Sequence, residues 1–513
     1  MNGFDNWALS LAIFLPVVGA GLVALIPRAQ ETAVKAVALL TTLATAGVGL
    51  YLLLNFNHGD SEQLQFSVDK SWITLINSRY HIGIDGIALP LLLLSIGISV
   101  LCVIYSWDHF PEPHNPKAFL ILLLLLETGM NGTFAAEDLI LFFVFFELVL
   151  LPMYFMIGVW GGPNRQYAAI KFFLFTLFGS ALMILSFLAL YFQGGETFDI
   201  PELIANGSTI ARGTQLWIFA GLFMGFAIKV PMFPFHTWLP DAHTEAPTVG
   251  SVILAAVLLK LGTYGFIRIA IPILPDAAMS WAPWIGLLAV IGIIYGALGC
   301  LAQKDMKRLI AFSSVAHMGF VMLGIATLTS FGINAAVFGM VAHGLITGML
   351  FFLAGSIQER FQTREIARLG GLLLQTPKMG WILGFCVFAS LGLPGLAGFW
   401  GEFPAILSAY EPAEGLQLAV FRTYMVVAAV GTVFAAGYLL WMLQRVAFGT
   451  PKSEFEKAHV HDVHLPEWIA WTPLLVLIIV FGLFPGLLFN LTDGAVSLVS
   501  GAVSAASGVA AGG

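Results

Sequence analysis

The sequence predicts an all-α, polytopic membrane protein of about fourteen transmembrane helices, with two inverted five-helix repeats and discontinuous helices 7 and 12. Three observations carry this. The chain has 513 residues, 59% of them hydrophobic and 10% charged, against about 25% charge in an ordinary soluble domain. Apolar runs long enough to cross a bilayer recur along nearly all of it. Lysine and arginine concentrate in alternate loops between those runs.

A crossing needs roughly 20 mostly apolar residues. Such runs lie at 8–27, 33–55, 84–106, 118–136, 138–160, 168–193, 214–235, 246–270, 281–302, 308–329, 332–357, 379–410, 421–447 and 469–491. No lysine or arginine precedes the first run, and Asp5 does, so this run reads as a span and not as a cleavable signal peptide. The fourth and fifth nearly merge at Ala136-Glu137-Asp138. There Glu137 and Asp138 read as acids starting the fifth helix, where they meet its positive end. The Gly-, Ala- and Ser-rich C-terminal stretch reads as a flexible tail.

Of the 22 lysines and arginines, Lys229 and Lys260 fall inside spans. Fifteen others lie in or beside odd-numbered loops, and five in even-numbered ones: Lys70, Arg79, Arg212, Arg268 and Arg422. This asymmetry supports fourteen spans, with both termini on the outer side of the membrane.

Several functions are excluded or left without support. No basic run suits a nucleic acid. Cys102, Cys300 and Cys386 are far apart in apolar segments and suggest neither a disulfide framework nor a metal cluster. There is no GxGxxG, P-loop or haem attachment motif, so no cofactor or metal is expected on this chain. His459, His461 and His464 read as a solvated loop.

Two spans are interrupted. The seventh holds Lys229-Val-Pro231-Met-Phe-Pro234, and the twelfth holds Leu391-Gly-Leu-Pro394-Gly395-Leu-Ala-Gly398. Proline removes a backbone donor and clashes with the turn before it. A broken backbone at membrane depth must be buried in protein or face water. The breaks lie five spans apart, so a five-helix unit repeated once comes back inverted, as in many transporters. The chain then divides into 1–117 (spans 1–3), 118–270 (spans 4–8), 281–448 (spans 9–13) and 449–513 (last loop, span 14 and tail).

Six ionisable residues sit well inside spans: Glu147, Lys229, Lys260, His317, His343 and Glu402. A charge at a helix centre costs about 2.5–3.5 kcal/mol on insertion scales. Such groups must face one another or water. A lone histidine or one Glu–Lys pair is explained by helix packing. Six groups over six spans, two of them broken, suggest a relay. Histidine titrates near neutrality, and a buried lysine beside a carboxylate can switch charge, so protons fit best. Glu127 is a further intramembrane acid of ambiguous role.

The segment FAIKVPMFPFHTWLPDAHTEAPTVGSVILAAVLLKLGTYG, Phe226 to Gly265, closely resembles the signature of the antiporter-like subunits of respiratory complex I and of multi-subunit cation/proton antiporters. The resemblance covers about spans 3 to 13. Most relatives carry lysine in span 12, whereas the M branch carries glutamate, as Glu402 does within LPGLAGFWGEF. The resemblance implies that Glu147 pairs with Lys229 and that Lys260 connects the halves. His317 and His343 would line the axis, Glu402 would end the second half-channel, and His236 would support packing. It also implies neighbouring antiporter-like subunits as partners, with NAD, FMN, iron–sulfur clusters and quinone on other subunits.

Overall fold

In lipid, an apolar segment must satisfy its own backbone, which makes it a helix. The computed structural model describes residues 3–455 and 460–510; His459 lies outside them. In chain order the first helices are α1 (Asp5–Leu25) and α2 (Glu31–Asn55). After the hairpin β1 (Gln65–Ile73) and β2 (Ser78–Ile84) come α3 (Ala88–Tyr105), α4 (Pro116–Ala135), α5 (Leu139–Trp160) and α6 (Arg165–Gln193). A short α7 (Ile200–Asn206) leads to α8 (Arg212–Lys229) and, past a break, α9 (Trp238–Glu245). Then follow α10 (Thr248–Ile273), α11 (Pro275–Leu301), α12 (Met306–Ala326) and α13 (Ser330–Phe361). The second broken pair is α14 (Pro377–Ser390) and α15 (Ala397–Ser408). The last helices are α16 (Leu418–Ala447), α17 (Leu465–Leu483) and α18 (Gly486–Ala510).

Among the described residues, thirteen helices are long and apolar enough to cross a membrane. Twelve coincide with sequence-predicted spans, and the thirteenth is α18. The remaining two predicted spans are the broken pairs α8/α9 and α14/α15, interrupted where the prolines stand.

Burial is graded. In the apolar windows of α10, α12 and α13, 94%, 94% and 100% of residues are buried, against 33% in α2 and 39% in α6 and α16. The helices carrying Lys260, His317 and His343 are thus the innermost ones.

The structure corrects the sequence reading at both ends. The loop after α2 is not purely irregular: β1 and β2 pair antiparallel, turning at Asn77 in the left-handed region. This run alternates Phe, Val, Tyr and Ile with polar residues, the period of a strand. The tail expected to be flexible is the helix α18, and the predicted last span stops at Leu483. Leu488, Leu491, Ala495, Val496, Val499 and Val503 are all buried. That is a helical stripe hidden within a low-complexity composition.

The start of α1 and much of α18 lie on the hairpin face. Asp5 accepts a hydrogen bond from Tyr51 at 2.8 Å, and Ser10 meets Tyr80 of β2 at 2.8 Å. The Leu491 carbonyl of α18 presses on Gly86, leaving no room for a Cβ there. Asn334 and Ser330, at the start of α13, bond Asp493, Thr492 and Ser500 of α18 at 2.9, 2.7 and 2.6 Å. α18 therefore runs along this face.

Candidate functional site

The first group of residues surrounds the break after α8. Lys229 is the last residue of that helix and is 2% exposed. Beyond it, Trp238 donates its indole N–H to the Ile228 carbonyl at 2.9 Å, satisfying one acceptor freed by the break. The Lys229 ammonium has no protein hydrogen-bond partner and lies 4.6 Å from the centre of the Phe146 ring. A cation over an aromatic face is attracted by the ring quadrupole. Glu147, the next residue after Phe146, accepts a hydrogen bond from Ser180 of α6. Among the described residues no ion pair within 4.0 Å joins Glu147 to Lys229. The expected pairing is thus not a contact: the serine holds the acid and the ring holds the lysine.

The second group lies on the inner helices. α10 contains two π-helical turns, Leu254–Leu258 and Phe266–Ala270, on either side of Lys260. Such turns free carbonyls and re-aim side chains. Lys260, fully buried, donates to the Ala255 carbonyl at 2.5 Å and lies 2.7 Å from His343 Nδ1 of α13. The ring centres of His343 and His317 are 6.1 Å apart. His317 Nδ1 bonds Glu402 of α15, and its Nε2 lies 3.2 Å from both Ser390 and Tyr438. A cavity of about 20 Å³ touches His317, His343, Thr347, Ser390 and Glu402. That is room for about one water among polar partners.

The structure therefore joins Lys260, His343, His317 and Glu402 into one series. Glu147 and Lys229 form a separate group beside it. His236 packs against Phe233 and Tyr295, at ring-centre distances of 5.7 and 4.9 Å, with Nδ1 unpartnered. Its surroundings are aromatic packing. Glu127 is fully buried with both carboxyl oxygens unpartnered and joins neither group. His464 caps α17 together with Glu467, and the described residues hold no set of three or more possible metal ligands.

Sequence reasoning missed Ser180, Ser390 and Tyr438, whose only signal is a hydroxyl inside an apolar run. It also missed His243, fully buried, stacked on Phe351 at 4.4 Å, with both ring nitrogens unpartnered. A third polar cluster lies under the hairpin. Asp138 caps α5 by accepting from the Ile140 and Leu141 amides, each at 3.0 Å, as expected. Glu137 does not serve the helix start. It is buried 3.7 Å from Arg268, which also reaches Asp85 at 2.6 Å and Tyr264 at 3.1 Å. Arg268 thus belongs to buried α10 and not to a loop. His81 and Asp199 meet at 2.5 Å beside this cluster. Burial pushes the Glu137 carboxyl up to about 7.

Comparisons with known proteins identify the family. A family model described as NADH:quinone oxidoreductase/Mrp antiporter, TM matches residues 136–429. NADH-quinone oxidoreductase subunit M of Rickettsia conorii is 39% identical over 487 residues, covering 94% of this chain and 96% of its own. The subunit M of Rhodobacter capsulatus is 40% identical over 497 residues, covering 94% of each. A chain of respiratory complex I from Thermus thermophilus superposes with a TM-score of 0.85 at 30% identity, covering 96% of this chain and 99% of that one. A chain with two broken helices, matched over nearly its whole length, belongs to the NADH:quinone oxidoreductase/Mrp antiporter family, in its subunit M branch.

Proposed function

We propose that this subunit translocates protons along Glu147, Lys229, Lys260, His343, His317 and Glu402, with His236 supporting the break. The observation that carries the reading is the series from the Lys260 ammonium through two imidazoles, all on the most buried helices, to Glu402 of α15. Lysine, imidazole and carboxyl groups each take up and release a proton, and an intramembrane row of them marks an ion path. Lys229 has no hydrogen bond to break before it moves. A change in the field of a neighbouring subunit can draw it toward Glu147 or release it, and so alter its hold on a proton. Lys260 then passes charge to His343, and the water-sized cavity bridges the two imidazoles. Glu402 receives the proton from His317.

The driving energy comes from quinone reduction on partner subunits, which carry the NAD, FMN, iron–sulfur and quinone sites. We read 118–270 and 281–448 as inverted repeats, each with one broken helix, and both termini as periplasmic. The loop charges and the shared hairpin face support this reading.

The test is Glu147→Ala and Lys229→Ala in the assembled complex. NADH-driven proton pumping should fall below about a tenth of wild type, while NADH oxidation by an artificial electron acceptor stays unchanged. If pumping survives both changes, the relay reading fails.

A further inference from the structure

A large cavity lies away from the relay. It measures about 700 Å³ and sits between the α1–α2 turn, the start of α4 and the end of α6-facing α5. Since α1 begins on the hairpin face, this cavity opens at the opposite end of the helices. Its lining divides into two chemistries. One end holds Arg28, Glu31, His114 and Lys117, and the other holds Ile121, Leu122, Phe155 and Val159.

The charged end has a positive surplus. Glu31 is already held by Lys35 at 2.6 Å and His114 at 3.0 Å. The Lys117 ammonium lies against the Ala24 and Ile26 carbonyls at the end of α1, both at 2.7 Å, which leaves its charge uncompensated by any acid. Arg28 is exposed and, among the described residues, makes no hydrogen bond or ion pair. Trp160, its indole N–H tied to the Pro113 carbonyl at 2.8 Å, also lines the cavity. Phe155 and Val159 are 46% and 37% exposed, so the apolar end is open at the surface of α5.

We propose that this groove binds one anionic glycerophospholipid, its phosphate at Arg28 and Lys117 and an acyl chain along Ile121, Leu122, Phe155 and Val159. A guanidinium fork matches phosphate oxygens in pairs. Anionic lipids are drawn to cations at the membrane surface. A free phosphate would satisfy only the charged rim and leave the apolar wall unused, so the lipid is the occupant that uses the whole groove.

The experiment places a photoreactive benzoylphenylalanine at position 155 of the otherwise intact complex, in nanodiscs of phosphatidylcholine with phosphatidylglycerol. Phosphatidylglycerol should be captured well above its share of the bilayer. Arg28→Gln should lower that enrichment about fivefold, the effect of one interfacial cation, and Arg28→Glu should abolish it. Phosphatidylcholine capture should not fall. Arg28 has no partner among the described residues, so these variants retain the fold, checked by normal NADH:quinone activity. Equal capture of the two lipids, enrichment indifferent to Arg28, displacement by millimolar inorganic phosphate, or crosslinking of position 155 to a neighbouring subunit would each overturn the proposal.

Discussion

Arg268 is the cation for two buried carboxyls, Asp85 at 2.6 Å and Glu137 at 3.7 Å. Removing one member of a buried ionic group leaves an uncompensated charge, at a cost of about 3–5 kcal/mol. Arg268→Ala should therefore lower the melting temperature of the complex far more than the loss of an exposed arginine such as Arg28. Glu137 adds a pH dependence. Burial raises its carboxyl from 4.5 to about 7, Asp85 and Asp199 push the same way, and Arg268 and His81 oppose them. The folded chain keeps a proton that the unfolded chain loses, so the stabilisation is full at low pH and fades as pH rises through 7. The fall amounts to about 3 kcal/mol. Glu137→Gln should lose less melting temperature than wild type between about pH 5 and about pH 8. Neither residue could be read this way from sequence. Arg268 sits near a span end like any loop cation, and Glu137 precedes a helix like any capping acid. Their meeting depends on how α10 packs under the hairpin.

The broken helices show how an element positions an ionisable group. Pro231, Pro234 and Pro394 announce both breaks in the sequence, because proline denies the helix a donor wherever it stands. How closely the broken pieces approach their neighbours is a matter of packing. A Cβ on Gly401 would lie 2.5 Å from the Gly339 Cα, so α15 and α13 touch backbone to backbone just before Glu402. Gly401→Val should force these helices apart at a cost of about 1–3 kcal/mol. It should also reduce pumping by separating Glu402 from His317, while NADH oxidation by an artificial acceptor stays normal. A pumping rate equal to wild type would mean that this close approach does not position Glu402. The π-helical turns around Lys260 have no comparable sequence signal. Their residues, LAAVL and FIRIA, would suit an ordinary helix.

Across the whole molecule, the hairpin face is stitched together by the last helix. Truncation after Pro485 removes the bonds of Thr492, Asp493 and Ser500 to the start of α13 and uncovers Gly86. The truncated subunit should melt at least about 4 °C lower, and unchanged melting would show α18 to be dispensable. The sequence by itself determined the membrane class, the spans up to the last, the two breaks and the six ionisable residues inside spans. Those follow from local composition measured against the bilayer's thickness and its intolerance of unpaired charge. Only the tertiary structure decided which of those residues touch. It linked His317 to Glu402 across 85 positions and Lys260 to His343 across 83, and it held Lys229 on an aromatic ring apart from Glu147. A side chain's burial cost is written where it stands in the chain, whereas the partner that offsets the cost is set by helices that meet only after folding.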